Sequence, residues 1–429
     1  MAFLQSPLAG IELLHALLQF LDILHETRKG LGNGVGQAVM VQINDMSLGV
    51  SMNAFPFHHP PWNADNGRIG RNIADYHRSR TYLAVASYTY RSQDSCPCAD
   101  NDTILYGRVS LRLWDCQRQE PENCSDYMGA RRVAGLLGLP HVLLDMRSEF
   151  AENVVKPFAR SYLAGETPNP CVACNRDFKL GRLLEWAKSQ GIHYVATGHY
   201  ARVVHDSSTG QCSLLRGRDE KKDQSYFLFS LSQGQLAHTL FPLGEWRKEE
   251  VRQRARCFGL PVADRPESQD ICLGDHKALV KSFAREGDLG RGEIVDPSGK
   301  ALGVHGGIHQ FTIGQRKGLG ISSSYPLYVL EIDERSKRVV VGKKEELSCR
   351  GLVAHRVNWI EFWGGDEIAA EVQVRYRSAS IPCLIRPDGA ERYKVRFRDI
   401  FPPVTPGQAA VFYREDRVLG GGWIEKGIQ

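Results

Sequence analysis

Along residues 81–200, short apolar runs alternate with helical patterns, and this alternation leaves few folds open to the chain. The runs 81–87, 107–114, 140–145 and 193–197 are rich in Val, Leu, Ala and aromatic residues and read as strands. Helical spacing appears over 126–137 and 150–163, and again through Phe178, Leu180, Leu183, Leu184 and Trp186. This order predicts an α/β fold with a parallel, doubly wound sheet, because parallel neighbours need a helical crossover. In such sheets ligands gather beyond the strand C-termini, where Gly198-His199-Tyr200 would project. From about Gly292 the character changes to short β-rich pieces with frequent Gly and Pro, at 328–332, 338–342, 371–375, 393–397 and 409–413. Regularly spaced short strands predict one or two small barrels.

One loop of the α/β half carries distinctive chemistry: Thr167-Pro168-Asn169-Pro170-Cys171-Val172-Ala173-Cys174-Asn175-Arg176. Pro168 and Pro170 disfavour a helix interior or a central strand, so the segment reads as a stiff extended loop just before a helix. A helix N-terminus favours the thiolate, which is the nucleophilic form, and Arg176 and Lys179 act in the same direction. A further cysteine closes Ser268-Gln269-Asp270-Ile271-Cys272. Cys171, Cys174 and Cys272 admit three readings. Half of a zinc site is one, although no second pair follows at ligand spacing and three ligands is the most available. Buried inert thiols are another. The third, favoured by the Pro- and Asp-rich loops, is a redox or sulfur-carrying pair with one thiol on each of two loops.

A chain of 429 residues holds two or three domains. With 42% hydrophobic and 24% charged residues it has the balance of a soluble globular protein. A formal charge of +5 permits an anionic partner such as nucleic acid without demanding one. Eleven cysteines, an odd number, argue against a secreted disulfide framework. No apolar run approaches membrane-span length, and residues 1–24 lack the features of a signal peptide. A cytoplasmic protein without a membrane partner is expected. Leu8, Ile11, Leu14, Leu17, Leu18, Leu21 and Leu24 form a helical stripe closed by Gly30, suited to core or partner-helix packing. Gly30, Gly32, Gly34 and Gly36 follow, a stretch able to cradle a phosphate, but no clear strand precedes it. His58 and His59 are adjacent but lack further metal ligands. The glycine-rich stretch 306–320, with Arg316 and Lys317, reads either as a phosphate-backbone contact or as a solvated basic turn.

Seven motifs in collinear order carry a family resemblance. They are Thr-Pro-Asn-Pro…Cys-Asn at 167–175, Ala-Thr-Gly-His-Tyr at 196–200, Lys-Asp-Gln-Ser-Tyr at 222–226 and Phe-Pro-Leu-Gly at 241–244, then Ser-Gln-Asp-Ile-Cys at 268–272, Thr-Ile-Gly-Gln-Arg-Lys-Gly-Leu-Gly at 312–320 and Thr-Pro-Gly-Gln-Ala-Ala-Val-Phe-Tyr at 405–413. From about residue 107 onward the chain resembles the tRNA-specific 2-thiouridylases. The resemblance implies a PP-loop ATP-pyrophosphatase domain over 81–275, a small central domain over 276–349 and a C-terminal β-barrel over 350–429, with 1–80 an extension lacking a counterpart. It implies a tRNA-uridine 2-sulfurtransferase that thiolates the wobble uridine, using ATP with Mg2+ and a cysteine persulfide. Cys174 would be the nucleophile and Cys272 the persulfide carrier. Asn169, Pro170 and Cys171 match target-base contacts, although many members have Asp in place of Cys171. Lys222, Asp223, Gln224, His199, Arg375, Tyr376 and Gln408 match tRNA contacts, with Arg316 and Lys317 as additional phosphate contacts. Leu111 and Gly198 match nucleotide contacts. The implied partners are tRNA and a sulfur-donor protein. An iron–sulfur cluster on Cys171, Cys174 and Cys272 is a further alternative, and no other metal site is expected.

The family opens with Ser-Gly-Gly-Val-Asp-Ser directly after its first strand, a loop that grips phosphates through backbone N–H groups. The strand expected in that place is 82–86, followed by Ser87-Tyr88-Thr89-Tyr90-Arg91-Ser92. Without glycine, that segment is too bulky to wrap a phosphate. The expectation is therefore weak ATP binding. The first function class is the transferase with its N-terminal part altered by a frame disruption; the second is a tRNA-binding or sulfur-carrying remnant without ATP chemistry.

Overall fold

The structure, a computed structural model, describes residues 39–42, 106–114, 125–136, 139–206, 208–264, 273, 276–361, 365–389, 391–401 and 403–429. The stripe over 8–29, the glycines at 30–36, His58 and His59, the strand over 81–87 with Ser87 to Ser92, and the loop ending in Cys272 lie outside the described residues.

One α/β unit and two smaller β units account for the described chain. Strands β1 (Val39–Gln42), β2 (Tyr106–Arg112), β3 (His141–Asp145) and β4 (Tyr194–Thr197) precede a hairpin, β5 (Ala201–His205) and β6 (Cys212–Arg216), and the short β7 (Thr239–Leu240). Five of these form one sheet in the order β3-β2-β1-β4-β7, and every pairing in it is parallel. The doubly wound expectation holds, with one correction. The strand seated between β2 and β4 is Val39–Gln42, not 82–86. Residues 1–80 therefore supply a strand to this sheet. Four residues, Val-Met-Val-Gln, are too few for an alternation pattern to reveal.

Helices cover the sheet because each buries one apolar stripe. Helix α1 is Ser125–Leu136; α2 runs continuously through Arg147–Phe150, Ala151–Val155 and Lys156–Leu163; α3 runs through Pro170–Ala173, Cys174–Arg182 and Leu183–Ser189. The middle segments of α2 and α3 are π-helical. Phe150 and Phe178, both fully buried, meet edge to face at 5.2 Å, and Leu180, Leu183 and Val195 complete this core. Three shorter helices follow: α4 (Gln233–Leu236), α5 (Lys248–Cys257) and α6 (His276–Phe283), the last packed on the Lys156–Leu163 turns of α2.

The second unit is a four-stranded sheet in the order β10-β11-β8-β9, made of β8 (Gly292–Val295), β9 (Ala301–His305), β10 (Tyr328–Asp333) and β11 (Arg338–Gly342). Its core is Ile294, Ile308, Phe311, Val329, Val339 and Val341. The third unit is a closed barrel of β12 (Cys349–Trp359), β13 (Ile368–Gln373), β14 (Ile381–Pro387), β15 (Arg392–Phe401), β16 (Ala409–Arg414) and β17 (Arg417–Ile428). The order β12-β15-β14-β13-β16-β17 closes through a β12–β17 pairing, which leaves the barrel without a free edge at that seam. Ile381, Cys383 and Ile385 point inward while Pro382, Leu384 and Arg386 point out, as the period-2 pleat requires. Hairpin β5–β6 belongs by sequence to the α/β half, yet β6 pairs with β17, with Leu214 opposite Val418. Among the described residues no helix is long and apolar enough to cross a membrane.

Candidate active site

Pro170 begins a helix here. Asn169 is extended (φ −113°, ψ 96°), its side-chain oxygen accepts the Cys171 N–H at 3.2 Å, and Pro170 takes the first helical position. That pairing is a strong N-terminal signal, since Pro lacks the N–H that a first turn leaves unpaired. The two cysteines accordingly sit within the opening turns of α3 and not in an extended loop before it, which corrects the sequence expectation. Cys171 is half-buried and Cys174 is 5% exposed. Cys171 lies in the first turn of α3, where the helix dipole favours negative charge, and Cys174 lies one turn further in and is buried.

All three units hold the segment leading into α3. The Thr167 N–H donates to Pro406 O at 2.9 Å, Gln408 Nε2 donates to Thr167 O at 2.7 Å, and the Thr167 hydroxyl lies 3.4 Å from that of Thr312. Gly407 has φ +87°, and a Cβ there would stand 3.0 Å from Thr167 N, so only glycine lets the barrel loop approach this closely. The Asn175 side chain, 3% exposed, donates from Nδ2 to Phe227 O at 3.2 Å. The Phe227 ring lies 4.4 Å from that of Tyr376, on the turn between β13 and β14, and the Arg377 guanidinium stands 5.1 Å from the Tyr376 ring.

The Lys222-Asp223-Gln224 segment folds inward at two of its three positions. Asp223, 8% exposed at its side chain, faces Arg216 at 3.2 Å and accepts from Gly217 N, Ser225 N and the Ser225 hydroxyl at 2.9, 3.1 and 2.9 Å. Gln224 exchanges bonds with Tyr200, its N–H donating to Tyr200 O at 2.9 Å and its Oε1 accepting Tyr200 N–H at 3.0 Å. Arg216 stacks 3.5 Å over the Tyr413 ring and donates to Gln373 Oε1 at 3.4 Å and Ser380 Oγ at 2.9 Å. Arg316, Lys317 and Arg375 are exposed, and Lys222 is partly so.

At the other end of β4, Gly198 and His199 follow Thr197, which pairs with Gln42 of β1. On the far side of β1, Gln42 pairs with Val109, so Leu111 overhangs the strand end by two residues. Leu111 and Gly198 thus flank the position just beyond β1. There the strand order reverses, with β2 and β3 on one side and β4 and β7 on the other, the position where doubly wound sheets bind ligands. His199 Nδ1 lies 2.7 Å from the Thr197 hydroxyl and its ring meets Phe241 at 5.8 Å. Burial, with a smaller push from the Lys179 charge, takes its imidazole down to about 3. Among the described residues no group of three or more His, Cys, Asp or Glu side chains could hold a metal ion.

Three family models match the chain in succession. A tRNA methyl transferase HUP domain matches residues 102–275, a tRNA methyl transferase PRC-barrel domain 281–343 and an aminomethyltransferase β-barrel domain 349–424. The tRNA-specific 2-thiouridylase MnmA of Solibacter usitatus is 45% identical over 340 residues, covering 74% of this chain and 91% of the relative. Those of Syntrophotalea carbinolica and Synechococcus sp. (strain JA-3-3Ab) are 48% and 46% identical, covering 74% and 75% of this chain and 90% and 88% of theirs. The chain belongs to the tRNA-specific 2-thiouridylase family.

Membership directs attention to the residues after β1, where a 2-thiouridylase carries Ser-Gly-Gly-Val-Asp-Ser. Here the sequence after Gln42 reads Ile43-Asn44-Asp45-Met46-Ser47-Leu48-Gly49-Val50-Ser51. The family model matches from residue 102, beyond this segment, and the Ser-Gly-Gly-Val-Asp-Ser string itself does not occur in the chain. The sequence reading also passed over Arg216 and Gln235. A signal for the latter exists, since Ser232-Gln233-Gly234-Gln235 is a capping-box pattern.

Proposed function

We propose that this chain is a tRNA-uridine 2-sulfurtransferase that thiolates the wobble uridine of tRNA, with Cys174 and Cys272 as its reactive thiols. The observation that carries the reading is the Cys174 thiol at the start of α3, on a segment held by the barrel through Gln408 and Pro406 and by the central unit through Thr312. A reacting thiol needs that kind of fixed direction. The relatives, tRNA-specific 2-thiouridylases, supply the substrate class. The units this reading assigns are a catalytic unit that ends near 275 and draws its central strand from 39–42, a central unit over 276–349 and a barrel over 350–429.

ATP, with Mg2+, supplies activation of uridine O2 as a leaving group. The crevice beyond β1, flanked by Leu111 and Gly198, suits the adenine and ribose of such a nucleotide. The outer sulfur of a Cys272 persulfide then bonds to C2 as the adenylate leaves. Cys174 attacks the Cys272 sulfur, leaving a Cys174–Cys272 disulfide and the thiolated base. An external thiol reductant restores the pair, and a sulfur-donor protein reloads Cys272. Asn169, Pro170 and Cys171, at the mouth of α3, receive the target base. Exposed Arg316, Lys317 and Arg375, together with Lys222, meet the tRNA phosphates.

A second reading, a tRNA-binding or sulfur-carrying remnant without ATP chemistry, is favoured by one feature. The chain contains no Ser-Gly-Gly-Val-Asp-Ser string, whose glycines let backbone wrap a phosphate. The deciding experiment is ATP-dependent formation of 2-thiouridine by the full chain with tRNA and a persulfide donor, alongside Cys174→Ser and Cys272→Ser. Turnover lost in both variants supports the transferase. Absence of turnover in the unsubstituted chain, with tRNA still bound, supports the remnant.

A further inference from the structure

Helix α3 changes its winding at Cys174. The Pro170–Ala173 turn is α-helical, Cys174–Arg182 is π-helical, and Leu183–Ser189 is α-helical again. A π turn is wider than an α turn and weakly favoured, so a long one needs outside support. Two residues provide it. At Gly181 an added Cβ would lie 2.6 Å from Arg176 O, five residues back, so the wide turn closes only around glycine. A glycine inside a continuous helix is otherwise unfavourable, and this close approach accounts for it. Gln235, on α4, then donates its amide Nε2 to Arg176 O at 2.6 Å and to Leu180 O at 3.0 Å, tying two carbonyls of the π segment to a neighbouring helix.

The direction of that amide is set from its other end. Gln235 Oε1 accepts the Ser232 backbone N–H at 3.0 Å in a capping box, which turns Nε2 toward α3. The winding of the π segment determines how Cys174 and Asn175 are rotated relative to Phe178, Leu180 and Leu183, which are anchored in the core. Asn175 keeps its bond to Phe227 O only in that rotation. We infer that Gln235 and Gly181 are positioning residues for Cys174, holding open the π segment that aims its thiol. This rests on the reading of Cys174 as a reacting thiol, but its test does not require turnover.

Gln235→Glu separates the roles. A carboxylate keeps the acceptor that Ser232 N–H needs, but turns an oxygen toward two carbonyls where an N–H stood. Gly181→Ala obstructs the turn from within. Ser232→Ala is the control, because it weakens the cap of α4 and removes the longer hydroxyl contact to Gln235 Oε1 at 3.3 Å, yet leaves the backbone N–H bond at 3.0 Å that orients Gln235. The measurement is the iodoacetamide alkylation rate of Cys174 relative to Cys171 on the full-length chain, mapped by peptide mass and followed against pH, with thermal midpoints recorded. Loss of the π segment exposes the buried Cys174, so the Cys174:Cys171 ratio rises about tenfold in Gln235→Glu and Gly181→Ala, a modest loss of positioning by enzymatic standards. Ser232→Ala lowers the midpoint without moving the ratio. An unchanged ratio in Gln235→Glu, or an equal change in Ser232→Ala, overturns the inference; if Gly181→Ala fails to fold, Gln235→Glu alone decides. A chain that forms no 2-thiouridine while this ratio moves as described refutes the transferase reading and leaves the positioning role standing.

Discussion

The side-chain amide of Gln408, on the loop entering β16, donates to the backbone carbonyl of Thr167 at 2.7 Å, so the barrel holds the segment that presents Cys171 and Cys174. The same loop accepts Thr167 N–H at Pro406 O. Removing the amide in Gln408→Ala leaves the Thr167 carbonyl short of a donor, a loss of about 0.5–1.5 kcal/mol. The expected result is faster proteolysis within 164–170 and a lower turnover number, with tRNA affinity little changed. A fall in tRNA affinity with unaltered proteolysis would assign Gln408 to the RNA instead.

Arg216 joins the α/β half to the barrel through Asp223, Gln373, Ser380 and the Tyr413 ring. Arg216→Ala strands the Asp223 carboxylate in a site where its side chain is 8% exposed. Because the Arg216 side chain keeps 23% exposure, the cost should fall near the low end for breaking a buried pair, about 3 kcal/mol. Arg216→Lys should recover little, since one ammonium cannot reach three partners and stack on a ring. Urea denaturation of both variants measures this, and full stability in Arg216→Lys would contradict the fork-like role.

His199 makes stability depend on pH in a defined sense. Its imidazole titrates at the ordinary 6.5 when unfolded and at about 3 when folded, chiefly through burial. Between those values the unfolded chain binds the extra proton, so the contribution of His199 is complete above 6.5 and is lost progressively as pH falls toward 3. His199→Gln should flatten this part of the stability profile between pH 6.5 and 4, measured by denaturant midpoints. A ring proton resonance that titrates near 6.5 in the folded protein would refute it.

Binding of tRNA should weaken steeply with salt if exposed Arg316, Lys317 and Arg375, with Lys222, meet phosphates. Each alanine replacement should lower the log–log salt slope by about 0.7–0.9 and weaken all tRNAs alike. Filter binding between low and moderate salt reads this. A slope unaffected by any of the four removes them from the RNA footprint.

ATP affinity tests the phosphate loop. With no Ser-Gly-Gly-Val-Asp-Ser string in the chain, equilibrium binding of ATP by the full chain should be weak. Tight binding by the unsubstituted chain would show that another segment receives the phosphates.

The strands at 107–114, 140–145 and 193–197, the helical stripe through Phe178, Leu180, Leu183 and Leu184, and the β-rich character after Gly292 were legible in the chain, because apolar runs and stripes there alternate with polar or turn-forming segments. The cysteine segment was legible as chemistry, because proline, asparagine and thiol constrain one another locally. Other features depended on packing. Val39–Gln42 becomes the central strand because β2 and β4 accept it on either side, and no alternation of strands and helices in the neighbouring sequence points to it. Pro170 starts a helix because the Asn169 cap is in place, although proline there equally suits a loop. Asp223, Gln224 and Gln408 read as free polar groups along the chain, yet their partners Arg216, Tyr200 and Thr167 lie 7, 24 and 241 residues away. Sequence specifies which atoms can donate and accept, and tertiary structure decides which of them meet, because hydrogen bonds and buried charges act over about 3 Å of space regardless of their separation along the chain.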